Sequence, residues 1–313
     1  MYILDIDDLR EITNTIGSKT TDAGRQFDLL NCFLQNEYGI QLPSGLKYAS
    51  IEKFGDVVSS PLVYERATNS ILKKKIEKGE TKIIIKNPNA LYRIGILGYN
   101  EPIKVDLVVE GNVGNFFAAS CNFKGTWTVK GHAENGLADK GYSGKVVVEG
   151  LATELVGQNN QATKYSHGVD ILIKKGCMER AMGQARGGSL VTFGAGYNSG
   201  LYMSGGILLD LGPPGDEFGP GMVGGIIYAR DGTTVGEDAV VSSLNPASDY
   251  EIIANTLRKF KDELQIQGLD EFCLENPVLN ISNNTNDDEC NNSADRQEYN
   301  FKKDFIKIVP GHR

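Results

Sequence analysis

Apolar positions along this chain change their period near residue 81 and again after Gly236. Over Asp5–Ile16 they fall at Ile6, Leu9, Ile12 and Ile16, the spacing of one helix face. Thr21–Tyr38 repeats that spacing with Phe27, Leu30, Phe33 and Leu34, and Gly39 stands where a left-handed residue closes a helix. Pro43-Ser44-Gly45 reads as a turn, and Pro61–Glu77 as a third helix closed by Gly79. At Thr81–Lys86 the pattern becomes that of a strand, with Ile83, Ile84 and Ile85 bounded by Asn87-Pro88-Asn89. After Gly236 the helical period returns in Asp249–Leu264, with Ile252, Ile253, Leu257, Phe260 and Leu264 on one side. That helix is expected to cap an open sheet edge. Asn280–Asn300 is rich in Asn, Asp and Ser and is expected to be disordered, whereas Phe301–Val309 is apolar enough to dock as a final strand or arm. The chain thus divides into a mainly helical extension over 1–80, a strand-rich region over 81–241, and a C-terminal helix, polar segment and arm over 242–313.

Within the middle region the strands recur with glycine. Gly125, Gly144, Gly168, Gly188, Gly206 and Gly225 precede strands at intervals of 19, 24, 20, 18 and 19 residues. Gly111, Gly131, Gly150, Gly176, Gly194, Gly212 and Gly232 follow strands at intervals of 20, 19, 26, 18, 18 and 20. Both series stretch at one place, and the polar insertion Gln158-Asn159-Asn160-Gln161 accounts for both. A period of 18–20 residues is too short for helical-hairpin repeats and too long for one hairpin rung. It fits a parallel β-helix whose coils lie about 4.8 Å apart. Six residues before the glycine of five coils stand Ala119, Ala138, Met182, Gly200 and Gly219, mostly small, as a crowded corner requires. The strand pairs Val146/Val147, Leu190/Val191, Leu208/Leu209 and Ile227/Tyr228 are apolar toward both faces. Some outer surface is therefore covered, by the chain's own helices or by another subunit.

Composition supports this picture and narrows the chemistry. Glycine makes up 37 of 313 residues, concentrated between Gly111 and Gly236, as recurring tight turns demand. A net charge of −8 argues against nucleic acid as the partner. The five cysteines form no CxxC pair and read as reduced thiols of a cytoplasmic protein. Met1–Leu9 lacks the basic start of a signal peptide, and no apolar run approaches the ~20 residues of a membrane span. Met1-Tyr2 offers no cysteine, so glutamine amidotransfer by an N-terminal cysteine nucleophile is not expected of this chain. Gly194-Ala195-Gly196-Tyr197-Asn198-Ser199-Gly200 approaches a dinucleotide fingerprint, but its spacing is wrong and no helix follows, so coil glycines explain it better. His132 follows Gly131 and reads as a turn residue; His167 lies beside the insertion with Lys164 and Tyr165, where it is a candidate for a local site. Asp210, Asp216 and Glu217 read as a solvated turn, since a glycosidase pair needs two carboxylates on one face. No catalytic, cofactor-binding or metal-binding residue is assigned.

The run Cys177–Gly183, continuing through Gly196–Gly206 to Gly219–Tyr228, resembles the GXGXG domain. The similarity covers about Thr81–Val241 and includes Asn87–Ala90, Val109–Gly114 and Gly232–Ala239. That domain is the C-terminal β-helix of the glutamate synthase large subunit. It occurs also as one of the subunits of formylmethanofuran dehydrogenase, and as a free-standing subunit of split systems such as N-methylglutamate synthase. The resemblance implies a mainly β fold: a right-handed parallel β-helix, here with a helical N-terminal extension and a C-terminal helix. It implies a structural subunit without catalytic residues or a cofactor of its own. Its partners would be a class II glutamine amidotransferase-like subunit and a subunit that bears FMN and an iron–sulfur cluster. A hetero-oligomer is expected, with a homo-oligomer left open. A formylmethanofuran dehydrogenase or formyltransferase/hydrolase assembly, and a stand-alone carbohydrate-active β-helix, are the alternatives. The insertion Gln158–Tyr165, the Asn-rich tail and the long helical N-terminus depart from the family pattern.

Overall fold

The computed structural model describes residues 1–54, 56, 60–97, 100–164, 166–265, 278–281, 295–298 and 304–311. They form two compact units, 1–153 and 154–313. Among the described residues the fold is mainly β, a parallel β-solenoid of about 7 turns.

The first unit runs β1 (Tyr2–Asp5), α1 (Ile6–Lys19), α2 (Ala23–Tyr38), α3 (Ser44–Phe54), α4 (Pro61–Glu77), β2 (Lys82–Lys86), β3 (Ile103–Lys104), β4 (Asp106–Glu110), β5 (Asn122–Val129) and β6 (Ser143–Val148). The helices obey local rules. Asp5 caps α1 by accepting from the Asp7 N–H, Asp22 caps α2 by accepting from the Arg25 N–H, and Gly39 closes α2 at φ +69°. Two expectations need correction. Ser44 begins a helix rather than completing a turn. Tyr2–Asp5 is a strand pairing in parallel with β2, so the N-terminal segment contributes to the sheet.

β2, β4, β5 and β6 are successive parallel rungs. Their inward residues Ile83, Ile85, Leu107, Val109, Trp127 and Val129 are buried, alternating with half-exposed neighbours. Charge helps to set the register. Asp5, Lys86 and Glu110 are successive rung partners, and Lys130 Nζ lies 2.6 Å from Glu149 Oε1. A one-residue slip would separate these opposite charges and turn the buried isoleucines outward, which destabilises a ladder. Trp127 stacks on Phe123 at 4.1 Å, and its Nε1 donates to Val105 O at 3.2 Å.

The second unit holds β7 (Asp170–Ile173), β8 (Arg186–Thr192), β9 (Ser204–Asp210), β10 (Gly224–Arg230), β11 (Ala239–Ser242), α5 (Ser248–Arg258), α6 (Lys261–Leu264), β12 (Val278–Ile281), β13 (Asp295–Glu298) and β14 (Phe305–Pro310). β7 to β10 are parallel rungs. β14 then inserts antiparallel between β10 and β11. The final segment therefore docks as a strand, and strands rather than a helix end the ladder.

The amphipathic helix has a different place from the one expected. α5 packs on β8, burying Ile253, Ala254 and Leu257, and Lys259 Nζ reaches Asp170 Oδ1 at 2.6 Å. It covers the outer face of the rungs. This accounts for the burial of both Leu190 and Val191 in β8. At its start, Asp249 receives the Tyr228 hydroxyl at 2.8 Å and the Lys307 ammonium at 2.9 Å. One buried carboxylate thus ties α5, β10 and β14 together. Part of Asn280–Asn300 is ordered: β12 and β13 pair antiparallel. The rest of that stretch lies outside the described residues.

The polar insertion is held from within. The side-chain amide of Asn160 is buried, donating to Val169 O and accepting from Val169 N–H, both at 2.8 Å. One side chain thereby does the work of a strand neighbour. Thr163 and Ser166 form an isolated antiparallel bridge.

Candidate functional site

The repeated glycine phrase lies at the coil corners. In the second unit, residues at alternate positions adopt left-handed φ: Leu155, Gly157 and Asn159; Arg180, Met182 and Gln184; Asn198, Gly200 and Tyr202; Glu217, Gly219 and Gly221. The first unit repeats this at Phe116, Ala118 and Ser120 and at Gly136, Ala138 and Lys140. A left-handed non-glycine residue costs about 1–2 kcal/mol, so something must hold so many in place.

Hydrogen bonds between coils do so. The outer two N–H groups of a triplet point to the following coil: Arg180 N–H to Tyr197 O at 3.0 Å and Gln184 N–H to Leu201 O at 2.7 Å. The middle one points back: Gly200 N–H to Ala181 O at 2.7 Å and Gly219 N–H to Ser199 O at 2.8 Å. Alternating handedness sends successive donors both ways, so within each unit a corner such as Asn198–Tyr202 is tied to the coils on either side. Middle residues are buried, which restricts them to small or flexible side chains: Ala118, Ala138, Gly157, Met182, Gly200 and Gly219. The spacing expectation holds except at one coil, where the left-handed residue is Ala118 rather than Ala119.

The fingerprint-like run Gly194–Gly200 is such a corner, between β8 and β9. Gly200 has φ +79°, and a Cβ on Gly196 would lie 2.8 Å from the carbonyl carbon of Met178. Left-handed geometry and close stacking account for both glycines.

His132 serves the stack as a turn residue. Its backbone N–H donates to Asn112 Oδ1 at 2.8 Å, and its Nδ1 accepts from Leu151 N–H at 3.0 Å. His167 is exposed, and its carbonyl accepts from Gly188 N–H at 2.6 Å. Tyr165 and His312 lie outside the described residues, as do Cys273 and Cys290. Cys121 and Cys177 are buried, and burial pushes both thiols up to about 12. Cys32 is exposed.

The three carboxylates separate. Asp216 and Glu217 are exposed, bonded to Thr234 and to Tyr197 Oη. The solvated-turn reading fails for Asp210, which is 1 % exposed. Its oxygens accept from Ala195 N–H at 3.1 Å and Gly212 N–H at 2.9 Å, holding two corners together. Desolvation dominates over these donors and raises the carboxyl to about 6. The folded chain therefore keeps a proton that an unfolded Asp, with an ordinary value near 3.9, has lost. Stability from this group is complete below the ordinary range and is lost as pH rises through about 6. Asp210→Asn is expected to flatten the pH dependence of stability across that window by something on the order of 2–3 kcal/mol. Urea unfolding of both proteins at the two ends of the window measures this; parallel pH profiles would show that the carboxyl is ionised throughout.

Among the described residues, no group of three or more His, Cys, Asp or Glu side chains is placed to hold a metal ion. No helix among them is long and apolar enough to cross a membrane. No curated protein matches the chain. A family model described as the GXGXG motif matches residues 94–275, more than half of the chain. The coil corners fall inside that span, and the chain belongs to the GXGXG motif family.

Proposed function

We propose that this chain is a structural subunit of a multisubunit, glutamine-dependent, flavin-containing assembly of the glutamate synthase type, working in the cytoplasm. One observation carries the reading. The glycine phrase that resembles a ligand loop is used up by coil stacking, its N–H groups donating to neighbouring coils. With the motif spent on the scaffold, function falls to the outer surfaces. The family is consistent with a glutamate-synthase-like setting. The division at residues 80/81 and 241/242 belongs to this proposal, with 81–241 as the shared β-helix. FMN and the iron–sulfur cluster would sit on a partner subunit, and ammonia would be released by a class II amidotransferase-like subunit.

The carbohydrate alternative has little support. Trp127, the only tryptophan, is 2 % exposed and stacked in the core, so it offers no sugar platform.

Affinity purification of the full chain from its native cells, with identification of whatever accompanies it, tests the proposal. An amidotransferase-like subunit together with an FMN and iron–sulfur subunit is the expected result. Recovery of the chain alone contradicts it. Amidohydrolase-like and formyltransferase subunits, with or without tungsten or molybdenum, contradict it in favour of the formylmethanofuran-type assembly.

A further inference from the structure

The outward side of the corners in the 154–313 unit changes charge from coil to coil. Arg180 and Arg186 share one coil; both are exposed, and neither forms an ion pair among the described residues. Glu179 on the same coil leaves that pole with one net positive charge. The next coil presents Tyr202, 59 % exposed, its ring lying over Gly221 of the following coil. That following coil carries exposed Asp216 and Glu217, and Val223 at 76 % exposure.

Hydrogen bonds between the coils align these residues. Arg180 N–H donates to Tyr197 O and Asn198 N–H to Asp216 O, so Arg180, Asn198 and Glu217 form one column. Arg186 pairs with Gly205 and Ser204 with Gly224, so Arg186 opens one rung and Val223 stands just before the rung two coils on, at the same edge of the face. Positive charge, aromatic ring and negative charge follow each other over about 10 Å, two coil spacings.

A surface whose charge reverses across an apolar centre is its own complement under a two-fold axis. A rotated copy lays its arginine pole over the acidic pole of the first, and the same contact recurs on the other side. Exposed tyrosine at the centre is the residue type that interface cores collect. We propose that this face binds a second copy of this chain, antiparallel, with Tyr202 beside the two-fold axis. A different protein would need the same reversal in the opposite sense, whereas a second copy supplies it automatically. The inference does not depend on which other chains the assembly contains.

Sedimentation equilibrium of the full chain tests it. A dimer is expected at low salt, dissociating as salt rises and the screening length falls from about 10 Å at 0.1 M to about 3 Å at 1 M. Arg180→Glu with Arg186→Glu, and separately Asp216→Lys with Glu217→Lys, should each give a folded monomer. An equimolar mixture of the two should restore a dimer containing one of each. The salt series on the unaltered chain needs no substitution. A monomer at low salt, a dimer indifferent to salt and to both reversals, or folded variants that fail to recombine would each overturn the proposal.

Discussion

Gly224→Ala is expected to destabilise the 154–313 unit by about 3 kcal/mol or more, at the upper end of overpacking costs. The two glycines that precede β10 have different tasks. A Cβ on Gly224 would lie 2.4 Å from Ser204 O and 3.0 Å from its carbonyl carbon, both backbone atoms of the preceding rung. Neither atom can swing away as a side chain can. The rung must shift, and the register irregularity between Gly224 and Ile226 offers no slack, because β10 is also bonded to β14. Gly225 is constrained by its φ of +84° as well as by contact. Gly205 and Gly206 repeat the division: the first would clash with Arg186 O at 2.4 Å, and the second has φ +91°. A control lies in α3, where a Cβ on Gly45 meets nothing within 4 Å. Gly45→Ala should stabilise by about 0.5 kcal/mol, because a helical glycine has entropy to lose and nothing to avoid. Denaturant unfolding with hydrogen exchange read at β9 and β10 distinguishes the two sites. Equal, small effects at Gly224 and Gly45 would show that coil stacking tolerates a Cβ.

Asp249→Ala is expected to cost roughly 3–5 kcal/mol, the range for breaking a buried ion pair by removing one partner. Its carboxylate is almost wholly buried and joins three elements through Tyr228, Lys307 and the Asn245 N–H. Burial works to raise this carboxyl. The hydrogen bonds from Lys307, Asn245 and Tyr228 and the Lys307 charge outweigh it and hold the carboxyl below its usual range. Its contribution is therefore present above the ordinary carboxylate range and lost as pH falls through the lowered value, opposite in sign to Asp210. In the variant the Lys307 ammonium and the Tyr228 hydroxyl lose their shared acceptor. Asp249→Leu combined with Lys307→Met should cost distinctly less than the two single changes added together, since no charge is then left stranded. Additive losses would mean that the pair contributes nothing as a pair. Early exchange of α5 and β14 amides would report the release of both elements.

The parts of the fold legible in the sequence were those with a period. α1 and α2 show the helical spacing, α2 and α4 their closing glycines Gly39 and Gly79, and the coil interval of 18–20 residues gives the solenoid. α3 was hidden because only Leu46 and Ser50 are buried in it, too few to mark a face, and Pro43 suggested a turn. β1 is four residues long with no flanking glycine, and only its pairing with β2 makes it a strand. Apolar residues on both faces of β8 to β10 announced a cover without saying what it was. Over β8 it is α5, although an amphipathic helix after the last coil suggests a cap for the end of the stack. The left-handed triplets were the least legible feature. Their alternate spacing is the one a G-x-G-x-G pattern would fill, yet Arg180, Met182, Gln184 and Tyr202 occupy such positions here. Inter-coil hydrogen bonds, which no composition reveals, pin these residues. Asp210 misled for the opposite reason: a polar residue after Leu208-Leu209 reads as the start of a solvated turn, and its burial depends on backbone donors from another coil.

On the proposed function, the corners build a scaffold and chemistry belongs to other subunits. A cryo-electron microscopy map of the native assembly tests it most directly. Gly194–Gly200 is expected to be stacked between neighbouring coils, with FMN and iron–sulfur density confined to other chains that rest on this one. Cofactor or substrate density held by the corner residues of this chain would contradict it.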